Sequence, residues 1–124
     1  MYRSFFCALL IAVVAAAGVT HAQSKKGPNG GLLAKSHGHP IEFVVKGQDL
    51  AFYIGDDDGS PLATKTMTGR ATVQEGGKTI TVPLTPSEPN MMVGKAAAPI
   101  GSKARVVFSA SLHGHSLTAR FVTE

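Results

Sequence analysis

A chain of 124 residues, 44% hydrophobic and only 16% charged, is long enough for one domain and too apolar to stay disordered. Its formal charge of +4 is carried by lysines and arginines that mostly fall singly, with Lys25-Lys26 adjacent and no tryptophan anywhere. Without a basic patch or basic and aromatic residues interleaved, nucleic acid is excluded as a partner. The single cysteine, Cys7, excludes an internal disulfide framework and a thiolate metal cluster.

Met1-Tyr2-Arg3 is a short positive start, residues 5–19 are an apolar run, and Thr20-His21-Ala22 places small residues before a cleavage point. Residues 1–22 are therefore predicted to be a cleavable export signal. The run is shorter than the roughly 20 residues that a membrane-spanning helix needs, so no membrane span is expected in the mature chain. That chain starts at Gln23 and holds 124 − 22 = 102 residues; it loses Cys7 and, with Arg3, one positive charge. Cleavage after Gly18 instead would leave Val19-Thr20-His21 at the N terminus. An amine, backbone amides and a third-position imidazole make a square-planar chelate for Cu(II) or Ni(II).

Residues 23–31, QSKKGPNGG, have no apolar periodicity and read as a flexible leader ending in a turn at Asn29-Gly30-Gly31. Residues 32–124 are the predicted domain. Leu32-Leu33-Ala34 reads as a short first strand. In HPIEFVVKGQDLAFYIGDDDG, residues 39–59, Ile41/Phe43/Val45 and Leu50/Phe52/Ile54 alternate with other residues and predict two strands joined by Lys46-Gly47-Gln48-Asp49. The acidic cluster that follows is read as a solvated turn. An EF-hand loop counted from Asp56 needs its bidentate Glu at position 67, where the chain has Met67.

The strand pattern resumes over residues 67–75, breaks at Gly76-Gly77-Lys78 and returns over residues 79–84, a hairpin signal. Pro83, Pro86 and Pro89 are expected to end regular pairing. That leaves residues 86–101 as a loop with a brief apolar segment at residues 90–93. Residues 104–112 and 115–123 form a last hairpin, with His113-Gly114 as its turn. About seven short strands and no helix predict an all-β fold, an antiparallel immunoglobulin-like β-sandwich, with an open barrel as the alternative.

All four histidines of the mature chain lie in two identical tripeptides, His37-Gly38-His39 and His113-Gly114-His115. Two histidines two apart on a strand project from one face, with Cα atoms roughly 6.5 Å apart, close enough to share an ion once the rings turn inward. Imidazole suits copper, zinc and nickel. By strand parity His39 shares the inward face of Ile41 and Phe43, and His115 that of Leu117 and Phe121, while Glu42 faces the other way. If the two tips meet at one pole, His37, His39, His113 and His115 form a ligand set for such an ion.

The competing reading takes Gly114 as the residue a tight hairpin needs and His39 as an ordinary extended residue before Pro40. Met67, Met91 and Met92 are either thioether ligands for Cu(I) or core packing. Catalysis is not expected. There is no G-x-S-x-G or H-E-x-x-H motif, and Ser109, Ser111 and Ser116 have no orienting carboxylate in their hairpin before Glu124.

Four short pieces carry a likeness to known proteins: Gly27-Pro28-Asn29-Gly30-Gly31; His39-Pro40-Ile41-Glu42-Phe43-Val44; Phe52-Tyr53-Ile54-Gly55-Asp56 with Gly59-Ser60-Pro61; and Ala119-Arg120-Phe121. Over residues 27–121 the chain loosely resembles small periplasmic β-domains of bacteria, the kind also found as the first domain of some heavy-metal efflux adaptor proteins. The resemblance implies a periplasmic location, an immunoglobulin-like sandwich and a link to metal handling. The coiled-coil and lipoyl-like segments of an adaptor are missing from this chain, which would then act alone or as a loose accessory. Two functions stay open. One is an exported metal-binding protein without catalysis; the other is a structural or interaction module that engages an envelope protein through a sheet edge or residues 86–101.

Overall fold

Alternating apolar residues form strands because one face of a pleated strand can be buried while the other stays wet, and most strands of this chain use the device. The computed structural model describes residues 26–124. The predicted export signal, Cys7 and the alternative N-terminal chelate at His21 lie outside the described residues. The strands are β1 (Leu32–Ser36), β2 (His39–Lys46), β3 (Asp49–Ile54), β4 (Thr68–Glu75), β5 (Lys78–Ser87), β6 (Met91–Lys95), β7 (Arg105–Leu112) and β8 (His115–Val122). There is no helix among the described residues, and so none long and apolar enough to cross a membrane.

All pairings are antiparallel, and the strands form one sheet in the order β1-β2-β3-β6-β5-β4-β7-β8. β1, β2 and β3 form a meander. β4, β5 and β6 are consecutive neighbours, and β7 returns to lie beside β4, which is a Greek key. The outer strands β1 and β8 approach each other, so the sheet nearly closes on itself. The expectation of an all-β antiparallel fold holds. The pairing does not follow the immunoglobulin order, in which the second strand lies beside the fifth: β2 lies between β1 and β3.

Two local expectations are corrected. Residues 86–101 are not one loop, because β6 lies within them, paired with β3 through Phe52↔Met92 and with β5 through Pro86↔Met92. Nor do Pro83 and Pro86 end pairing, since β5 runs through both to Ser87. Up to Leu84 it pairs with β4, and from Thr85 with β6. Each part of β5, Lys78–Leu84 and Thr85–Ser87, therefore has its ladder partner on one side only. Proline is tolerated there as it is on an edge strand.

The enclosed side chains come from both parts of the sheet. Phe43, Phe52 and Phe108 are at most 1% exposed. Phe52 sits 4.7 Å from the Phe43 ring, 4.7 Å from Phe108 and 6.0 Å from Phe121, centroid to centroid. Met67 and Met92 are buried in the same core.

The part of the predicted leader that is described is fastened to the domain. Gly27 N–H donates to the Gly31 carbonyl, Lys26 bridges to Leu32, and the amides of Asn29 and Gly31 donate to the Glu42 carboxylate. Glu42 faces outward by parity, yet the loop folds over it and leaves it 3% exposed.

Candidate metal centre

A two-residue hairpin whose turn matches the natural strand twist needs positive φ at both central residues, a demand that glycine meets freely and histidine tolerates. Both His-Gly pairs sit in such turns. His37 and Gly38 have φ of 49° and 80° and connect β1 to β2; His113 and Gly114 have φ of 48° and 77° and connect β7 to β8. The closing pairs are Ser36↔His39 and Leu112↔His115. His37 and His113 are therefore turn residues. Strand parity does not govern them, and a common strand face for each His-Gly-His pair is not what the backbone provides.

Since β1 and β8 are the two outer strands of a nearly closed sheet, the two hairpin tips come to the same end of it. Thr118 N–H of β8 donates to Ser36 Oγ of β1 at 2.9 Å, across 82 residues of sequence, with Ser36 only 7% exposed. Ser36→Ala removes the acceptor of a partly buried amide. It is expected to lower folding stability by about 1 kcal/mol, read by denaturant titration.

His37, His39, His113 and His115 all line one cleft of ≈ 500 Å³, floored by Leu112 and Leu117. Size does not single this cleft out, since one of ≈ 560 Å³ lies on the outer face around Pro28, Leu33 and Tyr53. What distinguishes it is its four imidazoles. His37, His113 and His115 are exposed and His39 is half-buried; His115 thus projects from the end of the sheet into solvent, past the inward face that its parity with Leu117 suggested. Among the described residues, the only group of three or more potential ligand atoms lying within 4.8 Å of one another is Asp56, Asp57 and Asp58. A four-imidazole grip on one ion therefore requires the exposed rings to rotate about their side-chain torsions.

His39 is the ring with fixed surroundings. Its Nδ1 is 3.0 Å from the Gly55 carbonyl oxygen and 3.9 Å from Asp56 Oδ1, with its side chain 21% exposed. The carbonyl can only accept, so this contact is a hydrogen bond in the tautomer with the proton on Nδ1, which leaves the lone pair on Nε2. Sequence reasoning missed both neighbours, although extending the pairing Ile41↔Ile54 by two residues sets His39 opposite Asp56.

The acidic turn is itself well bonded. Asp56 N–H donates to the Ser60 carbonyl, Gly59 N–H donates to the Asp56 carbonyl, and the Asp58 carboxylate accepts from the Ser60 amide and hydroxyl. The Ser60 hydroxyl, followed by its amide, holds the exposed Asp58 carboxyl below its ordinary pKa. Met67, Met91 and Met92 do not line the cleft, so its side-chain donors are imidazole nitrogen and the Ser116 hydroxyl, without sulfur.

Comparisons with protein-family models, with curated proteins and with solved structures gave no match for this chain.

Proposed function

We propose that this chain is an exported, periplasmic protein that binds a copper, zinc or nickel ion without catalysing a reaction. Its ligands come from His37, His39, His113 and His115. The observation that carries the reading is the gathering of all four histidines of the described chain, from two hairpins at opposite ends of the sequence, around one cleft. Borderline divalent ions prefer imidazole, whereas Cu(I) is selected by sulfur, and the methionines are elsewhere. The remaining reading is an envelope-interaction module acting through a sheet edge or residues 86–101, and the second of these surfaces is reduced because β6 is paired on both sides within that segment.

Metal titration of the purified chain, followed by calorimetry, tests the proposal. Changing a group that merely orients a ligand typically lowers affinity 10–100-fold, so losing a ligand belongs at the upper end, about 100-fold. His39→Ala and His115→Ala are each expected to show that loss. Unchanged affinity in both variants removes the metal reading.

A further inference from the structure

We infer that His39 is the anchoring ligand of this centre and takes the ion through Nε2, with the Gly55 carbonyl and the Asp56 carboxylate as its positioning groups. This inference rests on the metal-binding reading above and adds the ligating atom, its order of importance and the residues that set both.

Three histidines of the cleft are exposed, and each loses side-chain freedom when an ion holds it. His39 has already lost much of it, being half-buried with Nδ1 bonded at 3.0 Å to the Gly55 oxygen. That oxygen is itself held in place. Gly55 N–H donates to the Pro40 carbonyl at 2.8 Å, Gly55 pairs with Pro61, and Asp56 N–H donates to the Ser60 carbonyl at 2.6 Å. A ligating histidine whose other ring nitrogen donates to a carbonyl or carboxylate has a fixed tautomer and a more basic donor atom. Asp56 Oδ1 accepts from Asp57 N–H and, at 3.9 Å from His39 Nδ1, is too far for a hydrogen bond. It is near enough to favour the positive charge that builds on the ring when Nε2 meets a divalent cation. None of the other three histidines has a hydrogen-bond partner of this kind among the described residues.

The test uses the purified chain with 15N-labelled imidazoles, zinc as a diamagnetic probe, and long-range proton–nitrogen correlation spectra at about pH 8, where free imidazole is neutral. The expected result is a proton on Nδ1 of His39 before zinc is added, and a zinc-induced shift at its Nε2 at the lowest zinc ratios. Asp56→Asn is expected to weaken zinc binding about tenfold while the Nδ1–H tautomer persists. A proton on Nε2 before zinc, or zinc arriving at Nδ1, overturns the inference. Zinc shifts at His37, His113 and His115 with His39 unmoved overturn it and leave the metal-binding reading standing. No shift at any histidine, together with no heat of binding for copper or nickel, removes both. Full zinc affinity in Asp56→Asn overturns the role given to Asp56.

Discussion

Replacing Phe52 by alanine is expected to cost about 3–5 kcal/mol of folding stability, the range for truncating a fully buried aromatic ring. The ring is 0% exposed, and its partners come from three other strands: Phe43 on β2, Phe108 on β7 and Phe121 on β8. It therefore ties the meander to the far part of the sheet, and its removal opens a cavity that neither part can collapse into without shifting its own ladder. A domain of this kind has roughly 5–15 kcal/mol in total, so the variant should lose a large share of its stability. Urea titration with an unchanged slope would read the loss directly. Phe52→Leu keeps most of the volume and should cost less than about 1.5 kcal/mol. A loss below about 1 kcal/mol for Phe52→Ala would mean that the four rings do not enclose a sealed core.

The same residues show why part of this fold can be read from its sequence and part cannot. Ile41/Phe43, Leu50/Phe52/Ile54 and Val106/Phe108/Ala110 alternate cleanly because each strand has one buried face, and period two survives translation into sequence. The turns at Gly76-Gly77 and His113-Gly114 are legible because positive φ narrows the choice of residue. β6 is not legible: five residues carrying Gly94 and Lys95 offer little alternation, and the strand exists because β3 and β5 flank it. The strand order is equally hidden, since local pattern says nothing of which distant strand becomes a neighbour.

At the candidate site, the repeated tripeptides are plain, but their meeting depends on β1 and β8 closing the sheet. The backbone placement of His37 departs from strand parity for a local reason. The Ser36↔His39 closure puts it in a turn, where the two-residue repeat of a strand no longer applies. The Gly55 and Asp56 partners of His39 follow from hairpin register once the β2–β3 turn is fixed, a signal present in the chain and readable without a structure.

Glu42 shows parity failing, and it sets the last expectation. As an outward residue between Ile41 and Phe43 it should be wet, but it is 3% exposed. Its Oε2 accepts from Asn29 N–H at 2.9 Å and Gly31 N–H at 2.8 Å, and its Oε1 accepts from Asn29 Nδ2 at 2.8 Å. Glu42→Ala strands three donors over a void. Hydrogen bonds to a charged group contribute about 1.5–3 kcal/mol each and do not add fully, so a loss of about 3 kcal/mol is expected. Glu42→Gln should be much milder, near 1 kcal/mol. Its oxygen can take the Oε2 position and keep both backbone donors, while its amide faces Asn29, whose side chain can flip to present Oδ1 in place of Nδ2. The ordering of the two variants is the discriminating result, and hydrogen exchange at the Asn29 and Gly31 amides locates it. If alanine and glutamine cost the same, or if those amides exchange as fast in the parent chain as in the alanine variant, the loop is not held by this carboxylate.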